Sequence, residues 1–314
     1  VVTTNGKIRL KSDITLPNPA SYTGIIISTP GLTIESDTPG TRRTLDMSLM
    51  MSNSTTGGDG IRFSGDSQTI KDLRFTGYSP SFGGTPSDRV AAINPRGTNF
   101  TSINCEIDHV SGRGMALGEG GTPTNAHISG GIFHHCSDPN SSSPYGNADG
   151  LQIFCGASHT GIVVEDLELN DNSDDGVDLF FAQAPITFRR CKAGRNGFRA
   201  DGVTLGGDGT GFKLGGDTYT TAHLVEECLA YDNAGGGFSA NDNNGAIVLH
   251  RNTSIRNGRA GNGYPASYIF DGVSSAAVLE DNVKYAGYDN YLGAGVTQSY
   301  NSWNNPPNIG AETS

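Results

Sequence analysis

The sequence predicts an all-β chain wound as a parallel β-helix, a solenoid forming one domain over residues 1–314. Three observations predict it. The glycine of a short x-Gly-x-apolar-x-apolar segment recurs at Gly150, Gly176, Gly211, Gly237 and Gly263, in steps of 26, 35, 26 and 26 residues, and a fixed step with one insertion marks a stacked repeat. A second column runs through Leu167, Cys191, Cys228 and Asn252 in steps of 24, 37 and 24, and Asn172, Asn196, Asn233 and Asn257 repeat those steps five residues later. Finally, 45 of the 314 residues are glycine, and Asn-Gly and Asp-Gly turns separate short β-branched segments where long helix-forming runs are missing. Leucine-rich repeats have similar steps but require a Leu-x-x-Leu-x-Leu spacing that this chain lacks.

Taken in order, residues 1 to about 56 show weak periodicity and are expected to form a cap and the first rungs. Each later rung would hold about three short strands, stacked at the parallel-strand spacing of roughly 4.8 Å, so that column-mates become neighbours in space. The Leu/Cys column is expected to point into the coil. The asparagine column is expected to occupy a turn, where amides can hydrogen-bond from rung to rung. Gly202 lies 26 residues after Gly176 and competes with Gly211 for the start of its rung. The stretch between Asn196 and Thr210 therefore carries the insertion, and insertions on one face of a solenoid commonly build the binding groove. From Gly287 to Ser314, with Trp303 and Pro306-Pro307, a closing tail is expected to cover the open end.

Twenty-one basic against 32 acidic residues give a net charge of -11, which disfavours nucleic acid and anionic membranes as partners. No apolar run in the sequence approaches the roughly 20 residues that span a bilayer, and a basic, apolar-cored leader is not expected within the chain from Val1 onward. A soluble, secreted monomer is expected. Sequons at Asn53, Asn99, Asn140 and Asn252 are compatible with secretion and leave glycosylation open. The five cysteines, Cys105, Cys136, Cys155, Cys191 and Cys228, show no zinc spacing and are read as small buried apolar side chains rather than a disulfide framework.

Counting each rung from its glycine, Asp149 and Asp175 share position -1, Asp174 sits at -2, and Asp178 and Lys213 share +2 if Gly211 sets the register. Stacking would bring these side chains together, with +2 projecting outward. Crowded carboxylates repel unless a cation neutralises them or some take up protons, and hard oxygen ligands suit calcium. An EF-hand loop is excluded, because counting from Gly176 puts Ala182 at the twelfth position, where a bidentate Glu is required. Asp174-Asp175-Gly176 alone could be an ordinary polar turn, and Lys213 alone a solvated lysine or a partner for Asp178.

The segments Asn172-Ser173-Asp174-Asp175-Gly176-Val177-Asp178-Leu179-Phe180 and Gly211-Phe212-Lys213-Leu214-Gly215-Gly216 closely resemble the motifs of the polysaccharide lyase family 9 pectate lyases. The resemblance covers roughly residues 145–240 and is architectural elsewhere. It implies a right-handed parallel β-helix, Ca2+ held by Asp149, Asp174, Asp175 and Asp178, and Lys213 as the base. Thr210 stands where the family usually has Asn or Asp, a departure that touches substrate detail. The implied reaction is calcium-dependent β-elimination on a uronic acid polymer such as pectate, an acidic polysaccharide. The hard step is removal of the C5 proton, whose electrons must delocalise onto the C6 carboxylate, and a metal there stabilises the developing charge.

Arg195 and Arg199, in or beside the insertion, are candidates for holding substrate carboxylates. His134, His135 and His159 have no repeat-aligned relation to the lysine and are read as structural. A polygalacturonase-type hydrolase would share the coil and use paired aspartates, but its Gly-His-Gly and Arg-Ile-Lys motifs are absent. An alginate-type lyase or epimerase would share the first step. A non-catalytic carbohydrate-binding β-helix would use calcium only to staple rungs.

Overall fold

A computed structural model describes residues 6–18, 24–50, 58–79, 90–216, 219–259, 265–272 and 276–304. Among these residues there is no helix, and the strands fall into two curled sheets of 19 and ten strands whose named pairings are all parallel. One rung shows the design. Ile162–Glu165 and Glu168–Asn170 lie in the larger sheet, and Val177–Asp178 lies in the smaller. Only Asp166 and Leu167 separate the first two strands, and the chain bends through Asp166, whose φ is +55°. A second bend at Asp171, φ +57°, ends the next strand. The same left-handed corner recurs at Arg190, Glu227, Arg251 and Asp281, and at Arg195, Asp232 and Arg256. A residue in this region turns the chain sharply without a loop. The outward side chains at these corners pair between rungs, as in Asp166 with Arg190 at 2.8 Å and Asp232 with Arg256 at 2.7 Å. Exposed pairs of this kind contribute at most about 1 kcal/mol each.

The residue after each second corner is the asparagine of the sequence column. Asn172, Asn196, Asn233 and Asn257 are all buried. The Oδ1 of Asn196, Asn233 and Asn257 each accepts the backbone N–H and the side-chain N–H of the asparagine one rung before, at 2.8–3.1 Å, and Asn172 Oδ1 accepts the Cys136 N–H at 3.2 Å. The Leu/Cys column also faces inward, with Leu167, Cys191 and Cys228 buried, and from Asn252 it becomes a second amide ladder through Asn282 and Asn301. All five cysteines are free and buried. Asn252 is therefore no acceptor for a glycan in the folded chain. Asn99 and Asn140 are exposed, and Asn53 lies outside the described residues.

Inside the smaller sheet Phe212, Phe238 and Tyr268 stack ring on ring at 5.0 and 5.2 Å, which fixes three successive rungs in one register. That register corrects the glycine column at its end. Gly263 lies outside the described residues, and the partner of Phe238 is Tyr268, so Ser267 follows Gly237, a step of 30 residues. The turn after Asn257 holds extra residues, and spacing counts residues whereas rungs are counted by pairing. Phe212 pairs with Val177 and Lys213 with Asp178, so Gly211, not Gly202, opens its rung. Within the stretch expected to close the coil, Tyr291–Leu292 and Thr297–Ser299 extend both sheets, and Trp303 tilts against Tyr268 at 4.9 Å. Pro306-Pro307 lies outside the described residues.

Candidate active site

The smaller sheet presents its outer face as a groove, and the site lies where three rungs meet. Gly150, Gly176 and Gly211 take the inner corner of each. A Cβ on Gly176 would stand 2.9 Å from the ladder amide of Asn196, so the glycine column is required by the ladder behind it. The residue before each glycine then faces out.

Asp149 Oδ1 accepts the N–H of Asp175 at 3.1 Å, Asp175 Oδ1 that of Thr210 at 2.6 Å, and Asp174 Oδ1 that of Asp208 at 2.7 Å. Each carboxylate is thus tied through one oxygen to a backbone donor. The buried second oxygen of Asp149, Oδ2, has no hydrogen-bond partner, and that of Asp175 meets only the Lys213 ammonium. Oxygens of Asp149, Asp174 and Asp175 lie within 4.8 Å of one another. Burial, followed by Asp174, Asp178 and Asp175, drives the Asp149 carboxyl well above its usual range. Burial and then Asp175 do the same to Asp174. Asp175 rises to about 7, chiefly through burial, with Lys213 pulling the other way. Three buried carboxyls whose oxygens converge, with Asp149 Oδ2 orphaned, fit a hard divalent cation.

Lys213 Nζ stands 3.1 Å from Asp175 Oδ2 and 3.2 Å from Asp208 Oδ2, its side chain 13% exposed. Burial opposes its charge, but Asp175, Asp178, Asp174 and Asp208 outweigh burial, so its pKa lies above that of an ordinary lysine. Asp178, its register partner, is held differently from the other three. Its Oδ1 accepts the Phe180 N–H at 2.8 Å, and its Oδ2 accepts Gln152 Nε2 in a short bond.

A cleft of about 210 Å³ opens over these groups, lined by Asp174, Asp178 and Lys213 together with Arg113, Gln152 and Phe180 among others. The four aspartates and the lysine chosen from sequence therefore converge. Arg195 and Arg199 do not line this cleft. Arg195 is a corner residue of the outer ladder, bonded to Asp171 at 2.5 and 2.7 Å and to Tyr231 Oη at 3.1 Å. Arg199 donates to the Leu205 carbonyl at 2.9 Å and covers the Tyr145 ring at 4.4 Å. The insertion acts instead through backbone: Gly207 approaches Asp174 so closely that a Cβ would collide with its carboxylate, and this delivers the Asp208 N–H. His134 and His135 share a hydrogen bond of 2.6 Å, and His159 Nδ1 accepts the Gly156 N–H at 3.1 Å.

Sequence reasoning missed Arg113. Its buried guanidinium donates to Gln152 Oε1 at 2.5 Å and Glu119 Oε2 at 2.8 Å, and the first bond turns the Gln152 amide so that its NH2 meets Asp178. A signal existed. Gly114 N–H donates to the Asp149 carbonyl as Gly150 N–H donates to that of Asp175, so Arg113-Gly114 repeats Asp149-Gly150 one rung earlier. Its 36-residue step hid it.

A family model described as Pel9A-like, right handed beta helix region, matches residues 2–270. The chain belongs to the Pel9A-like right-handed β-helix family. It is 28% identical over 268 residues to pectate lyase L of Paenibacillus polymyxa strain SC2, covering 81% of this chain and 55% of that protein. To pectate lyase PEL9 of Emericella nidulans it is 36% identical over 136 residues, 37% of this chain and 33% of that one. The chain spans about half, or less, of the length of these curated relatives. Among solved structures it is similar to pectate lyase Pel9A, with a TM-score of 0.77 and 20% identity over 99% of this chain and 74% of that one. A rhamnogalacturonan lyase also scores 0.77, at 19% identity over 97% and 81%. These two likenesses establish the family's coil for this chain, and the match to the family model encloses every residue of the aspartate cluster.

Proposed function

We propose that the chain is a calcium-dependent polysaccharide lyase that cleaves a uronic acid polymer, pectate or polygalacturonate, by β-elimination with Lys213 as base. The observation that carries this reading is one amine at 3.1 Å from a buried carboxylate cluster in which Asp149 keeps an orphaned oxygen, in a family whose relatives are named pectate lyases.

Asp149, Asp174 and Asp175 would hold the cation, with Asp178 at the rim of the same cleft. Bound calcium would supply the positive charge that joins an acidic protein to an acidic sugar and stabilises the charge developing on the C6 carboxylate. Lys213 takes the C5 proton on Nζ as the C5–H bond breaks. The electron pair becomes the C4–C5 double bond, the C4–O bond breaks, and the departing oxygen takes its proton from water. The carboxylates beside Lys213 keep it protonated in the metal-free chain, so its turn as base requires their charge to be offset. Asp208, 71% exposed, holds the ammonium at the mouth of the cleft. Phe154 and Phe181, stacked at 5.1 Å, offer an apolar edge against which a sugar ring can rest.

Secretion belongs to this reading, because a polymer must be met outside the cell; among the described residues no helix is long and apolar enough to cross a membrane. The test is incubation with polygalacturonate, with and without a chelator, while the ultraviolet absorbance of the unsaturated product is followed, repeated with Lys213→Ala. Calcium-independent cleavage, or full activity in the variant, would remove the mechanism. Cleavage of a rhamnogalacturonan backbone but not polygalacturonate would move the substrate and keep the chemistry.

A further inference from the structure

The outer face of the smaller sheet continues beyond the cleft. Ile61, Ile93, Met115, Leu151, Val177 and Phe212 are successive register partners. The residue after each forms an outward column of Arg62, Asn94, Ala116, Gln152, Asp178 and Lys213. At one rung per strand, Asn94 stands about 19 Å from Lys213 and Arg62 about 24 Å.

At that end Asp59 Oδ2 accepts from Arg62 Nε at 2.9 Å, Asn94 Nδ2 at 3.1 Å and Arg96 Nη2 at 3.3 Å. Two guanidiniums share one carboxylate oxygen. Among the described residues neither has another carboxylate within salt-bridge distance, and their side chains stay 21% and 25% exposed. One positive charge is therefore left over on the face of a chain of net charge -11. Nor is the cluster a closed structural knot. Asn94 is wholly buried, its Nδ2 is spent on Asp59 and on the Glu119 carbonyl, and its Oδ1 has no partner; Arg96 Nε has none either. A purely structural polar cluster satisfies its buried atoms, and this one leaves two of them unmet while both guanidiniums keep an exposed edge. On the other side of Lys213 the corresponding loops carry exposed Asp242 and Asp271. The surplus guanidinium attracts an acidic polymer toward the rungs of Arg62 and Arg96, whose own loop carries one exposed carboxylate, Asp66, engaged by the Thr98 N–H at 2.8 Å.

We infer that Arg62 and Arg96, held in place by Asp59 and the buried Asn94, form a distal uronate subsite that holds the far arm of an acidic polysaccharide and makes the protein selective for chain length. This rests on the lyase reading of the cleft. An extended uronide advances roughly one sugar per rung, so the subsite is reached by chains of about five or six sugars and not by a trimer.

The test uses trigalacturonate, hexagalacturonate and polygalacturonate with Arg62→Gln, Arg96→Gln, their lysine counterparts, and the same changes in a Lys213→Ala background, where binding is read calorimetrically without turnover. The expected result is affinity that rises with length in the parent, at least a tenfold loss for hexamer and none for trimer in the glutamine variants, partial recovery in the lysine variants, and a raised KM at unchanged kcat on polymer. Equal losses on trimer and hexamer, or no loss on hexamer in a variant of unchanged melting temperature, would overturn the subsite. Length-dependent binding without any cleavage would keep the subsite and end the lyase reading; cleavage indifferent to length would do the reverse.

Discussion

Replacing Asn196 with alanine tests whether the amide ladder holds the aspartate turn in place. Asn196 is fully buried. Its Oδ1 accepts the Asn172 N–H at 3.1 Å and Asn172 Nδ2 at 3.0 Å, and its Nδ2 donates to the Leu169 carbonyl and to Asn233 Oδ1, each at 3.0 Å. Alanine leaves at least two donors of Asn172 without partners in a space too tight to admit water freely. At about 1–3 kcal/mol for each buried orphan, the loss is about 2–6 kcal/mol. Because Asn172 opens the turn that carries Asp174 and Asp175, calcium affinity and turnover should fall together with stability. The assay is equilibrium urea unfolding followed by far-ultraviolet circular dichroism, with Arg251→Ala as control. That control breaks an exposed pair with Glu227 at 2.8 Å and a long contact to His250 at 3.5 Å and should cost less than about 1 kcal/mol. A loss in Asn196→Ala no larger than in the control would refute the reasoning, since it would mean that the ladder is replaceable by water.

Removing the ammonium with Lys213→Met should abolish turnover yet tighten calcium binding about tenfold at neutral pH, because a divalent and a monovalent charge about 5 Å apart repel by roughly 1.5 kcal/mol even at the dielectric of water; unchanged or weaker binding by calorimetry would contradict the shared site. Calcium should raise the melting temperature of the parent and a chelator should reverse it, with the effect blunted in Asp149→Asn, whose parent side chain carries an orphaned buried oxygen; an equal rise in the variant would place the ion elsewhere. Burial holds the His223 imidazole down to about 3, below its unfolded value of about 6.5. The folded chain therefore binds fewer protons, and this contribution is fully present above pH 6.5 and lost as pH falls toward 3. His223→Leu should flatten the fall in urea midpoint between pH 6 and 4, and a slope equal to the parent's would dismiss it.

The coil and its aspartate cluster were legible because both are written as repeats. Asp149 and Asp175 keep one position relative to their glycines, and stacking converts equal position into contact. The same logic failed where rung length changed. Gly263 was assigned by a 26-residue step, whereas pairing makes the step 30, and Arg113 escaped notice because 36 residues separate Gly114 from Gly150. Arg195 and Arg199 were chosen for their charge and their place in or beside an insertion. Their direction depends on a left-handed corner and a short backbone bridge that charge does not reveal.

The amino-acid order by itself therefore determined the stacked β architecture, the amide and cysteine columns, and that Asp149 and Asp175 share one position on neighbouring rungs. Those properties depend on periodicity, which survives without coordinates. Tertiary structure alone decided that Gly211 opens its rung, that Gln152 and Arg113 orient Asp178, and that one oxygen of Asp149 is left orphaned inside the cluster. It also decided that a cationic surplus lies several rungs up the groove. These depend on the lengths of intervening turns and on side-chain direction, and a turn of any length can close the same rung.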